Sequence, residues 1–493
     1  MKLKTSLLLS WAVLACTTNL AHAEATEDEA NRLSALFETY LTDTEGVVSV
    51  ELDGDGYKVT FDLAPLTGEA SKAASLVGES GGSFKVSPIV FKMASQGDGK
   101  WQVVEDQPIT FNMEIKGQVT AEEKVESLKA TGIFDEKLGT FSTVSGEMKN
   151  ITVTEKLMDP SGTTGDVSAT IKGIKIDQTA TASGDSAVDI KSKFTIDSLT
   201  ENLSMPGKPE TGGAPINFVV NAASGTLDLN GKAMKPKSLL DLLAFFVSHQ
   251  TKELITKDQA DLKTKLGAGL PLWENVQETG KISTVKINSQ FGEFGIDTVD
   301  IGLEMNGVVK DGKFRESVGL TGMNVPAALV PPWATKLVPK NATFDFTVSG
   351  FDLASPAQLI LSQLDLSKDK PLPDGFEQVL MPSFMPKGAV DVALNPTTMS
   401  NDTYNVKVEG SMTAGPAAMP SGKAKINAKG LDEIMKIIQA APPEAGLGSG
   451  LAVVIGAKGI AKAEADGSLT WNVESTPDGK VLVNGIDPST LGK

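Results

Sequence analysis

Residues 48–63 read VSVELDGDGYKVTFDL. Val48, Val50 and Leu52 alternate with polar residues, and after Asp53-Gly54-Asp55-Gly56 so do Tyr57, Val59, Phe61 and Leu63. Alternation at period two places one set of side chains on one face of a strand. Asp-Gly supplies the positive φ angles of a tight hairpin turn. The stretch is therefore an antiparallel hairpin. The same turn signal recurs at Asp98-Gly99, Asn230-Gly231, Asn306-Gly307, Asp311-Gly312, Asp466-Gly467, Asp478-Gly479 and Asn484-Gly485. Strand-like runs sit around these turns, among them Ile171 to Ile176, Phe194 to Ile196 and Leu469 to Val473. The sequence predicts a mainly β chain with a few short helices, an α+β arrangement of antiparallel meandering sheets. An open curved sheet and a closed sandwich both fit this pattern.

Helices are predicted near Thr26 to Thr42, Ser238 to Gln250 and Leu431 to Ala441. Thr26-x-x-Glu29 fits a capping box, in which hydroxyl and carboxylate reciprocally satisfy end amides. Leu33, Leu36, Phe37, Tyr40 and Leu41 then form one apolar stripe. In the second helix Leu239, Leu242, Leu243, Phe246 and Val247 share a face, and the helical pattern resumes after a break to reach Leu266. Pro442-Pro443 stops the third. Residues 69–77 (EASKAASLV) read as helix and Phe84 to Val86 as strand. Residues 324–339 are proline-broken and helical only in pieces, and Ser204 to Pro215 is a Pro/Gly-rich loop. Strands, helix and strands occur in both halves. An N-terminal β-rich domain with a leading helix spans 24–232, and a C-terminal one with inserted helices spans 233–493, the boundary falling near Lys232. No exact repeat relates them.

The first 23 residues read as a cleavable secretory signal. Lys2 and Lys4 form the positive region, and Leu7 to Ala15 is an apolar run too short to span a bilayer. Ala21-His22-Ala23 is the small-x-small cleavage site, leaving Glu24 first in an exported, periplasmic chain. The alternative is a lipoprotein anchored through Cys16, since Val13-Leu14-Ala15-Cys16 is similar to an acylation box. Cys16 is the one cysteine, so the processed chain forms no disulfide. No later apolar run approaches the ~20 residues of a transmembrane helix.

Composition narrows the partners. The processed chain carries 43 basic against 62 acidic residues, a net charge of −19, with two arginines, Arg32 and Arg315. Nucleic-acid binding needs a basic surface, usually with arginine forks, and is excluded. An anionic membrane surface would repel this charge. Three tyrosines cannot build the two aromatic girdles of an outer-membrane barrel.

Motifs that could carry chemistry fail on context. Gly78-Glu79-Ser80-Gly81-Gly82 has the letters of a nucleophile elbow, but helix precedes it and strand follows, the reverse of the required order. Its base would have to be His249, the one histidine left after processing, which reads as a helix-surface residue. A zinc site needs more ligands than one histidine offers. Gly446-Leu447-Gly448-Ser449-Gly450 superficially matches a phosphate-cradling loop, but Pro442-Pro443 stands where a strand is required, so it reads as a linker. Asp53 and Asp55 lack the glycine and glutamate of a calcium loop, position six being Lys58. Ser367-x-x-Lys370 lacks an accompanying Lys-Thr-Gly and reads as a loop. No residue is assigned a catalytic, cofactor-binding or metal-ligating role.

The last third carries a further pattern. Residues 422–432 read GKAKINAKGLD, followed by Ile434, Ile437 and Ile438. Gly456-Ala457-Lys458-Gly459 then leads to Asp466-Gly467-Ser468-Leu469-Thr470-Trp471, and residues 476–485 read TPDGKVLVNG. In this layout the chain resembles an uncharacterised exported family of Gram-negative bacteria, the domain of unknown function 2125. The resemblance covers the last third well and the middle loosely. It implies a periplasmic β-rich protein and brings over no catalytic or binding residue. In architecture the chain is also similar to AsmA-like periplasmic proteins, which carry lipids along curved sheets with an apolar groove.

Three function classes follow. The first is a non-enzymatic envelope protein that binds an apolar or lipid-like ligand. The second is a structural scaffold or surface adhesion module whose partner is another envelope protein. The third and least supported is an exported hydrolase working through carboxylates alone. An apolar groove would be lined from alternate positions such as Phe194 and Ile196, with the acidic face outward.

Overall fold

The computed structural model describes residues 25–41, 44–66, 82–115, 118–158, 164–184, 186–206, 213, 215–249, 251–416, 418–476 and 479–488. The expected export signal with Cys16, the helix expected at 69–77 and Ser80 lie outside the described residues. The chain folds as two compact units, Met1–Trp273 with Asp365–Pro371, and Glu274–Leu364 with Leu372–Lys493.

The first unit opens with α1 (Glu27–Tyr40). Thr26 caps it, its hydroxyl accepting from the Glu29 amide at 3.3 Å. The reciprocal half of the expected capping box does not form, because Arg32 takes the Glu29 carboxylate with two hydrogen bonds of 2.9 and 2.8 Å. The hairpin of the opening stretch is β1 (Val48–Asp53) and β2 (Gly56–Phe61), with Val50 opposite Val59 and Asp53 opposite Gly56. Then come β3 (Gly82–Val86), β4 (Ile89–Ser95), β5 (Lys100–Ile115), β6 (Val119–Asp135), β7 (Thr140–Met158), β8 (Thr164–Ala182), β9 (Val188–Met205) and β10 (Ile216–Met234). All pair antiparallel. β2 pairs with β4, β4 and β3 share one edge of β5, and β5 to β10 follow as a meander. At ~3.4 Å per residue the strands from β5 onward run roughly 55–65 Å. Lys232, the expected boundary, falls inside β10. Asn230-Gly231 is not a turn: these residues lie within β10 and pair with Lys191 and Ile190 of β9. A Cβ at Gly231 would stand 2.9 Å from the Met234 side chain, which would have to move.

The core of this unit shows how such long strands keep one face apolar. Val125, Ile151 and Ile171 are cross-strand partners, and so are Leu128, Met148 and Ile174. The two rows are three residues apart along each strand, which under strict alternation would put them on opposite faces. Yet Val125, Leu128, Met148, Ile151 and Ile174 are all buried in one cluster, and Ile171 packs against it. Between the rows Asn150 adopts φ 51°, and the neighbouring β9 has Ser198 at 41°. On β7 the positive φ resets the alternation, and on β6 a bulge between Val125 and Leu128, opposite Ile109 and Gln107 of β5, does the same, so both halves of these strands face the same core. Leu33 of α1 is the deepest contribution from the helix, at 1 % exposure. Phe37 packs edge-on against Phe61 and Phe91.

α2 (Pro236–Ser248), α3 (Lys252–Lys257) and α4 (Gln259–Gly269) follow. Of the five residues expected to share a face of α2, Leu242 and Val247 are half-buried. Phe245 is its buried residue, while Leu239, Leu243 and Phe246 are exposed on one helical stripe.

The second unit contains β11 (Asn275–Ser289), β12 (Gly292–Asn306), β13 (Gly312–Thr321), β14 (Asn341–Phe351), α5 (Ala354–Gln363), α6 (Glu377–Phe384), β15 (Val390–Ser400), β16 (Asn405–Gly415), β17 (Ala418–Lys429), α7 (Leu431–Gln439), α8 (Gly448–Gly459), β18 (Lys462–Ala463), β19 (Leu469–Ser475) and β20 (Val481–Val483). β11 to β17 pair in sequence, β19 adds to β17, and β18 and β20 pair with β19. Residues 324–339 form two 3-10 turns, Ala327–Leu329 and Pro332–Leu337, as their prolines require. The expected linker at 446–450 in fact opens α8, after the 3-10 turn Pro443–Ala445. The chain is thus mainly β, antiparallel and meandering, with several short helices.

Candidate functional site

The second unit has an apolar face with little over it. Val299, Leu320, Ala342, Met399, Val406 and Ala428 are successive cross-strand partners from β12 to β17. A second line runs Phe346, Leu394, Gly410, Ala424, Val473 and Val483. Cross-strand partners share a face, so these lines lie on one side of the sheet. The tilted ring contacts of Phe346 with Phe314 and Phe344 place two more aromatics there. One exposed carboxylate, Glu316, also falls on this side, opposite Phe346. A face of this kind is ordinarily covered by helices or a second sheet. Here Phe344 is 49 % exposed, Met399 45 % and Met412 40 %. Among the described residues, the buried apolar side chains of this unit are Pro326, Pro356, Phe376, Tyr404, Ala428 and Trp471.

The opposite side is ionic. Arg315 donates to both Asp345 oxygens at 3.0 and 2.6 Å, and Asn395 donates to the same carboxylate at 2.7 Å. Hydrogen bonding from Arg315 holds the Asp345 carboxyl below its usual range. Lys313 does the same for Glu304.

Trp471 stands opposite Ile426 and so belongs to the apolar side. Its indole N–H donates to the Ala457 carbonyl of α8 at 2.7 Å, which seats that helix over one end of the face. α8 lacks the polar stripe of a surface helix: Val453 and Ile455 are 70 % and 52 % exposed.

Two depressions among the described residues lie away from this apolar side. One of about 970 Å³ lies across β3 and β5 to β10, and its upstanding residues include Asn112, Glu122, Lys156 and Asn202. One of about 930 Å³ in the second unit has Glu409, Ser411, Lys423 and Asn472. Both sit on the polar side of their strands. Phe194 and Ile196, the expected groove residues, are half-buried on β9, and Ile196 packs against the core of the first unit.

The other sequence candidates fall apart. His249 is not a free surface residue. Its ring stacks on Phe245 with centroids 4.0 Å apart. Nδ1 lies 2.8 Å from the Phe245 carbonyl and 2.9 Å from Ser248 Oγ, and Nε2 lies 3.1 Å from Asp258 Oδ2. The imidazole fastens the end of α2 to the junction of α3 and α4. Asp53 closes the β1–β2 hairpin and pairs with Lys92. Ser367 Oγ donates to Asp365 in a short loop. Among the described residues no group of three His, Cys, Asp or Glu side chains is placed to hold a metal ion, and no helix is long and apolar enough to cross a membrane.

One titratable group escaped the sequence. Glu105 is 3 % exposed on the core side of β5, and Gln107 Nε2 donates to it at 2.5 Å. Burial pushes its carboxyl up to about 7, against the smaller opposing effect of Gln107. Alternation with Trp101 and Val103 points Glu105 inward, but the adjacent Val104 and the charged pair Glu105-Asp106 obscure that pattern in the run KWQVVEDQP.

No protein-family model, no curated protein and no solved structure matches this chain.

Proposed function

We propose that this chain is a non-enzymatic, exported envelope protein that binds a lipid-like ligand on the apolar face of its second unit. The carrying observation is the exposure of Phe344, Met399 and Met412, whose cross-strand partners Val318, Ala342, Val406, Val392 and Gly422 are all apolar or small. Large apolar side chains left exposed along one face of a sheet are the mark of an interaction surface. The export reading of residues 1–23 and the resemblance of the last third to an exported family support the compartment. The engagement of His249 by Phe245, Ser248 and Asp258 supports a structural role for it over a catalytic one.

Native mass spectrometry of protein purified without detergent tests this reading. A mass increment released by solvent extraction and identified as lipid is the expected result. Bare protein throughout would refute it. A second reading, a scaffold docking another envelope protein through the same face, is favoured by one observation: the large depressions lie on the polar sides of the strands, so the apolar side is not the deeper one.

A further inference from the structure

The depression of about 970 Å³ in the first unit is independent of the apolar face. It crosses β3 and β5 to β10. Its floor is largely backbone, because lining residues such as Ala121 and Val167 belong by alternation to the other side. The side chains that stand up from it are cross-strand partners. Asn112 is opposite Glu122, Lys156 is opposite Asp166, and Ser168 is opposite Asn202. Asn202 Nδ2 donates to Ser168 Oγ at 3.3 Å. With strands ~4.8 Å apart, the seven strands make a track of roughly 30 Å perpendicular to their axes.

The chemistry of this track is specific in what it omits. Among the described residues its lining contains no arginine and no histidine, and the upstanding Lys85 and Lys156 are set among Glu114, Glu122 and Asp166. A polyanion would need a cationic excess. Stacked bases would need aromatic platforms, and Phe218, the aromatic residue of the lining, alternates to the other side. An acyl chain would leave the amides and carboxylates without partners. Hydroxyl groups donate and accept at once, which is what interleaved Asn, Ser, Thr, Lys and carboxylate side chains can satisfy. The short Asn, Ser and Thr side chains also lose little rotamer freedom on binding. We infer that this trough binds a linear, uncharged glycan laid across the strands.

Isothermal titration of the full chain with cellohexaose and with chitohexaose tests the inference. Saturable binding of at least one, unchanged between low and high salt, is expected. Asn112→Ala combined with Asn202→Ala should weaken it about tenfold or more, as loss of two hydrogen bonds implies. Lys423→Ala, on the polar side of the second unit, should leave it unchanged. Both asparagines are exposed, and an unaltered far-ultraviolet spectrum confirms that the double variant is folded. Absence of saturable binding to either hexasaccharide overturns the inference. So does binding that the double variant retains in full, or binding that high salt abolishes.

Discussion

Trp101 donates its indole N–H to Glu136 Oε1 at 2.7 Å. The same oxygen accepts from Arg32 Nη2 of α1 at 2.8 Å, and the guanidinium lies 5.9 Å from the Trp101 ring centroid. Tyr57 completes the corner, its ring edge-on to Trp101 and its hydroxyl accepting from the Thr26 amide at 3.0 Å. One carboxylate thus ties the start of the leading helix to the floor of the first sheet. Glu136→Ala should cost about 1–3 kcal/mol, because Trp101 is buried and its donor would be left without a partner. Glu136→Gln, which keeps an acceptor, should cost less. Urea unfolding of the two variants checks the order; equal losses would count against the shared oxygen.

Glu105 makes stability depend on pH. Its folded carboxyl is raised from an ordinary 4.5 to about 7. The folded state therefore favours the protonated form. The stability this confers is fully present below about 4.5, declines as pH rises through about 7, and is lost above it. The span corresponds to roughly 3 kcal/mol at most. Glu105→Gln should flatten the profile and be the more stable protein at pH 8. Urea midpoints at pH 5 and pH 8 for both proteins decide the matter; parallel profiles would rule out Glu105 as the source.

Exposure separates two residues that look alike in sequence. Leu33 is 1 % exposed and Phe246 47 %. Leu33→Ala should cost about 2–5 kcal/mol through the cavity it leaves. Phe246→Ser should change stability by less than about 0.5 kcal/mol. A large loss at Phe246 in thermal or urea unfolding would show that α2 buries the stripe now exposed.

The hairpin at 48–61 and the short helix Leu431–Gln439 were legible because each carries its whole signal locally, an Asp-Gly turn between alternating runs in one and an amphipathic stripe before prolines in the other. The length of the strands was not. Ile171 and Ile174 are three apart, a spacing that stays on one face within an irregularity shared by the neighbouring strands, with positive φ at Asn150 and Ser198 and a bulge in β6 between Val125 and Leu128. Asn230-Gly231 spells a turn but is held inside β10 by its partners on β9. α8 is apolar apart from its ends and offers no stripe to read, and α6 carries Pro382 inside. For the candidate site, alternation marked which residues share a face. It could not mark which face stays open, because exposure depends on what packs above Phe344, and that is decided by elements distant in sequence. The direction of Phe245 and Phe246 is lost for the same reason.

The lipid-like ligand proposed for the face carrying Phe344 should be open to capture in living cells. A photoreactive amino acid at Phe344, and separately at Arg315 on the opposite side, tests this most directly when cells are irradiated and the adducts identified by mass spectrometry. Lipid adducts at position 344 and none at 315 are the expected result. Adducts to protein alone at 344, or lipid adducts at both positions alike, would contradict it.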